Sequence, residues 1–134
     1  SAASDVYKRQ EQPIALFFVM LKTYKILFDF HVNVTIRRWN SVAKSVKRED
    51  ILMEFNEISA RDAFVDSWSE ATKDKVISAY LSILRKIGIL DRTNQLQVLD
   101  CTNYPYYLQI GESWFLEACL LQPYQIEKIK NSLA

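Results

Sequence analysis

Glycine stands at two positions in this chain, Gly88 and Gly111, and proline at three, Pro13, Pro105 and Pro123. That scarcity constrains the fold more than any other feature. The tight hairpins of all-β proteins draw on glycine for left-handed backbone. Phosphate-binding loops need several glycines so that the backbone can approach the anion. Neither plan is open here, and the pattern predicts helices joined by short links. The 134 residues suffice for one compact domain, burying roughly two thirds of the unfolded surface. A net charge of +1 means that only a local segregation of charge could attract a polyanion.

The first ten residues, SAASDVYKRQ, have no helical apolar period and resemble a translated linker. They are expected to be non-native or disordered, so that residues 11–134 form a single helical domain, the back part of a longer protein. The run PIALFFVML at 13–21 has nine residues, against about twenty for a membrane span. Nothing resembles a signal peptide. A cytoplasmic protein without a membrane partner is expected.

Periodicity predicts a first helix from about Pro13 to Phe30 and a second from about Val34 to Val46, with Ile36, Trp39, Val42, Ala43 and Val46 on its apolar stripe. A third runs from Glu49 to Glu57, with Ile51, Leu52, Phe55 and Ile58 inward. Ser59 and Asp62 suggest a capping box for a short helix to Asp66. Ser67 with Glu70, or Ser69 alone, caps a long helix from Glu70 to Ile87, whose Val76, Ile77, Tyr80, Leu81, Leu84 and Ile87 point inward. Gly88 suits a left-handed helix end. LQVL alternates as a strand does, so residues 89–99 are read as a short β-hairpin. Helices at 105–110, at 112–121 and after Pro123 follow, making 100–134 a C-terminal helical part.

Helix, short helix, long helix and hairpin over 48–99 is the order of a winged helix-turn-helix. The expected fold is therefore mainly α: a helical bundle containing that unit with a short β-hairpin wing. In such a unit the long helix enters the major groove and the hairpin tip reaches phosphate or the minor groove. Residues 37–48 hold five basic side chains, Arg37, Arg38, Lys44, Lys47 and Arg48, and no acid. The long helix turns outward Lys75, Ala79, Ser82 and Lys86, with Thr72 and Lys73 near its start. Arg92, Asn94 and Gln95 lie at the hairpin tip. Lysine and arginine meet phosphate, and Thr72 can bond phosphate or a base edge. The candidate nucleic-acid-binding residues are thus Arg37, Arg38, Lys44, Lys47, Arg48, Thr72, Lys73, Lys75, Lys86, Arg92 and Asn94. The competing reading is a solvated face, or a winged helix that docks proteins. For the latter, Tyr104, Tyr106 and Tyr107 cluster near Pro105 as interface tyrosines do.

No catalytic constellation accompanies this pattern. Cys101, Cys119 and the single histidine, His31, give three candidates for a zinc site that needs four. The cysteines are read as buried reduced thiols and His31 as a satisfied structural histidine. No enzyme activity, metal, cofactor or small-molecule substrate is expected.

Residues 59–91, SARDAFVDSWSEATKDKVISAYLSILRKIGILD, resemble the BrxA family, small subunits of the bacterial BREX phage-defence systems. The most recognisable parts are W-S-E-x-T-x-x-K, Trp68 to Lys75, and R-x-x-G-x-L, Arg85 to Leu90. YLQIGESWFLEACLL, residues 107–121, resembles the family's tail, and ALFFVMLK and ILFDF are a looser match. The likeness spans roughly residues 14–121. It implies a helical protein with winged-helix elements that binds DNA, has no enzymatic activity of its own and works with other BREX proteins. Its members are also compared with an RNA-binding antitermination fold, which keeps RNA as a second possible partner. They usually carry another N-terminal helical segment, which agrees with a truncated chain here.

Overall fold

The computed structural model describes the backbone of residues 2–133 and the side chains of residues 11–133. The expectation that residues 1–10 are foreign sequence concerns side chains outside that description. The backbone is mainly helical: α1 (Ala2–Thr23), α2 (Lys25–Phe30), a π-helical turn (His31–Ile36), α3 (Arg37–Trp39), α4 (Arg48–Arg61), α5 (Ala63–Asp66), α6 (Glu70–Ile87), α7 (Tyr104–Gln109), α8 (Trp114–Ala118) and α9 (Pro123–Ser132).

The first two predicted helices are divided differently. α1 begins at Ala2 with Pro13 inside it, and the break falls at Tyr24, whose backbone is extended. Residues 25–39 then continue without interruption through the π turn. The apolar period hid the break because the helices on both sides of Tyr24 pack on one core. The second helix stops at Trp39 rather than near Val46. The Ser41 hydroxyl donates to the Arg38 carbonyl at 2.7 Å, and Lys44 turns to a φ of 46°. Val46 reaches the core from extended backbone, while Val42, expected inward, is fully exposed.

α4 runs to Arg61, beyond the expected Glu57. Leu52, assigned inward, is half exposed. Ser59 lies inside α4. Asp62 itself caps α5, accepting from the Val65 amide at 3.2 Å, so the residue expected to complete the box is the cap. α6 matches its expected bounds. Ser69 caps it, Ser67 instead donates to the Phe64 carbonyl, and Gly88 closes it in left-handed backbone at φ 89°. Its helix after Gly111 is confined to Trp114–Ala118, shorter than the expected 112–121.

The hairpin expected over 89–99 does not form strands among the described residues. Two isolated antiparallel bridges stand in its place, Leu90 with Leu96 and Ser45 with Gln95. The Asp91 carboxylate shapes the intervening turn by accepting from the amides of Thr93 and Gln95, at 2.8 and 2.9 Å. By Leu99 the chain has left the pairing, and the Leu99 amide donates to the Cys119 carbonyl at 3.1 Å. A ladder of strand length has no residues left to extend into.

One core gathers α1, α2, α4, α6 and α8 around Phe17, Phe30, Phe55, Tyr80, Leu84 and Phe115, all buried. The C-terminal helices cover the aromatic face of α1: Phe18 stacks on Trp114 at 5.5 Å, and Tyr107 meets Phe115 at 4.5 Å. Tyr104 and Tyr107, read from sequence as interface tyrosines, are buried, and Tyr106 is exposed. Among the described residues no helix is long and apolar enough to cross a membrane.

Candidate functional site

α6 presents two opposed faces. At about 100° per residue, Ile77, Tyr80, Leu81 and Leu84 converge on one side, and all four are buried. The opposite side carries Ala71, Thr72, Lys75, Ser78, Ala79, Ser82, Arg85 and Lys86, all exposed. Small residues occupy its centre, Lys75 lies toward its start and Arg85 and Lys86 at its end, and the exposed Asp74 borders it on the row of Ser78 and Arg85. At its start the Ser69 hydroxyl accepts from the Thr72 amide at 3.1 Å and donates to the Thr72 hydroxyl at 2.9 Å. Thr72 keeps its own hydroxyl proton free to donate.

Neighbouring segments frame this face. The Val46 amide donates to the Asn94 carbonyl at 3.0 Å and the Leu96 amide to the Lys44 carbonyl at 2.9 Å, which ties residues 44–46 to the turn after α6. Arg85 donates to the Asn94 side-chain oxygen at 2.8 Å, fastening that turn to the C-terminal end of the helix. Arg48 reaches across from α4, pairs with the Asp74 carboxylate and donates to the Ser78 hydroxyl at 3.1 Å. Arg48 and Asn94 are thus tied to the face that carries Thr72, Lys75 and Lys86, and Lys47 and Arg92 lie in the segments that adjoin it. Arg85 and Ser78 belong to it as well, although sequence reasoning did not place them there. The signal that could have found it is spacing: Arg85 lies seven residues from Ser78 and eleven from Asp74, on one row of the helix.

Other predicted residues are engaged elsewhere. Lys73 is largely buried, lies 5.8 Å from the Phe55 ring centre and pairs with Glu70 at 3.6 Å. Lys44 folds back over the Trp39 ring at 4.1 Å and donates to the Trp39 carbonyl at 2.5 Å. Arg38 pairs with Asp50 at 2.7 Å. Arg37 lines a cleft of about 220 Å³ whose wall includes Asp50, Glu54 and Glu57. Arg48 and Asp50 point about 200° apart on α4. The helix therefore separates Arg37 and Arg38 from the α6 surface, and carboxylates surround them there. Arg37, Lys47, Lys75, Lys86 and Arg92 have no acidic partner among the described residues.

The groups suited to chemistry are quiet. Burial pushes the Cys101 thiol up to about 11 and the Cys119 thiol well above its ordinary value. Burial thus disfavours the thiolate that nucleophilic attack requires. His31 is buried between the Tyr80 hydroxyl at 2.7 Å and the Ala118 carbonyl at 2.6 Å. The arrangement offers cations and hydroxyls on a convex helix, which can hold a polyanion.

Comparison with curated proteins and with solved structures finds no match. Comparison with protein families finds one: the BrxA family model matches residues 3–102.

Proposed function

The chain belongs to the BrxA family, a component of BREX phage defence, and from that premise we propose that it is a non-enzymatic subunit that binds duplex DNA. The observation that carries the reading is the outward face of α6, with small residues at its centre and Arg48, Lys75, Arg85 and Lys86 on or beside it. A helix with a small-residue ridge can lie deep in a major groove while cations at its margins meet phosphate. The order of elements supports a winged-helix reading. A helical stretch, the segment at 44–46 with the bridged Ser45, α4, the short α5, α6 and the bridged segments around Leu90 and Leu96 follow one another in that sequence. The wing would then be a turn stitched by bridges, with Arg92 at its exposed tip.

Six cations border the face: Lys47, Arg48, Lys75, Arg85, Lys86 and Arg92. If each of the four without a partner among the described residues, Lys47, Lys75, Lys86 and Arg92, meets a phosphate, the logarithm of affinity falls against the logarithm of salt concentration with a slope of about −4. Titration of a labelled duplex from low to physiological salt measures it. Binding that ignores salt, or no binding at low salt, rejects the proposal. Parallel titrations with duplex and single-stranded RNA decide whether RNA is the preferred partner.

A second reading is a docking module for other BREX proteins, and one observation favours it. At the far end of α4, a cleft of about 440 Å³ is lined by Tyr24, Ile58, Phe64 and Trp68. Phe64 is 72% and Tyr24 57% exposed there. Capture of BREX proteins that survives high salt and is lost in Phe64→Ser supports docking at this cleft.

A further inference from the structure

We infer that the α6 face takes duplex DNA with little regard to base sequence, reading phosphate and groove shape. This rests on the DNA-binding reading above and adds what is recognised. Base pairs are told apart in the major groove mainly by paired donors and acceptors: arginine or lysine on guanine, asparagine or glutamine on adenine. The outward face offers Ala71, Thr72, Lys75, Ser78, Ala79 and Ser82 before its C-terminal cations. None of these six is arginine, asparagine or glutamine. Of the side chains that pair with a base through two hydrogen bonds, only Lys75 is among them, and a lysine acts as a point charge with no fixed fork, while the hydroxyls of Thr72, Ser78 and Ser82 bond single donors or acceptors of any base pair.

The planar groups nearby are already engaged. The Arg48 guanidinium holds Asp74 and Ser78, across the helix axis. Arg85 holds the side-chain oxygen of Asn94, which removes the acceptor half of an adenine-reading amide. The Gln97 amide donates to the Gly88 carbonyl at 2.7 Å. Gln95 is exposed, but it sits in the turn beyond the helix end. On and beside this face the cations with no partner among the described residues are Lys47, Lys75, Lys86 and Arg92, whose suited partner is phosphate. Ala79 and Ser82 between them allow close approach but carry little sequence information. A hydroxyl both donates and accepts, and a methyl group contacts any groove wall.

The test uses the full chain and a pool of random-sequence duplexes of one length. Bound duplexes are recovered over several rounds at fixed salt and sequenced. The expected result is no enriched motif, with the recovered pool binding within about tenfold of the starting pool, whereas specific sites exceed non-specific ones by about a thousandfold or more. A second arm uses duplexes in which 7-deazapurines replace the purines, removing the major-groove N7 acceptors. Affinity within about tenfold of the unmodified duplex is expected. An enriched motif bound more than tenfold better, or a larger loss on the deaza duplex, overturns the inference. Salt-steep binding with such a motif rejects sequence indifference alone. No duplex binding at low salt rejects the DNA-binding reading beneath it.

Discussion

His31 is held by two hydrogen bonds that fix its tautomer. The Ala118 carbonyl can only accept, so Nε2 carries the proton and Nδ1 accepts from the Tyr80 hydroxyl. The Tyr80 oxygen in turn accepts from Thr35 at 2.6 Å. This chain joins the π turn, α6 and α8 inside the core. Burial lowers the His31 pKa to about 4 from an ordinary 6.5, and the bond to Ala118 opposes that only in part. The unfolded chain therefore binds a proton first as pH falls. The stability this group contributes is complete above pH 6.5 and is lost between there and pH 4, by about 3 kcal/mol. Urea unfolding across that range, compared with His31→Gln, should show a shallower pH dependence in the variant; equal slopes reject the account. Tyr80→Phe leaves His31 and Thr35 without their shared partner and should cost about 1–3 kcal/mol in the same measurement. The bland reading of His31 was available from its place on an apolar helix. Its partners were not, because Tyr80 and Ala118 lie 49 and 87 residues away.

The elements legible in the sequence are those whose boundaries are written locally. α6 is the clear case. Ser69 at its start and Gly88 at its end act within three or four residues, and both work as the sequence indicated. Ser69→Ala should cost about 1 kcal/mol by freeing the Thr72 amide. Gly88→Ala should cost about 1–2 kcal/mol. The nearest atom to an added Cβ at Gly88 is 3.9 Å away, so the penalty comes from φ and not from a clash. Thermal melts of the two variants check both values; a neutral Gly88→Ala would show that the backbone relaxes there. The turn at 91–95 was harder to read. Alternation in LQVL is a strand signal, yet whether a strand forms depends on a partner of equal length. The Asp91 carboxylate, held below its ordinary pKa mainly by the Gln95 amide and the Thr93 hydroxyl, shapes a turn that pairs only briefly. That stabilisation is present above the ordinary carboxylate range and is lost as pH falls through the depressed value.

Across the whole molecule, α4 divides the basic residues into two groups. Lys75→Glu with Lys86→Glu should reduce the salt slope from about −4 to about −2, since two phosphate contacts are removed. Arg37→Glu, on the other flank of α4, should leave duplex affinity within about twofold. Equal losses in both variants would mean that DNA spans both flanks. In the sequence the five cations of 37–48 are one cluster. In the folded chain Arg38 meets Asp50, Arg37 borders Glu54 and Glu57, Lys44 covers Trp39, and Arg48 crosses to α6. By itself the sequence determined a helical chain, the extent and caps of α6 and the family to which it belongs. Each rests on neighbours within a few residues or on a linear motif. Only the tertiary structure decided which charges share a surface, which carboxylates neutralise them, and whether 89–99 becomes a hairpin. Those outcomes depend on contacts between residues far apart in the chain, and helical periodicity carries no information about the partner a side chain will meet.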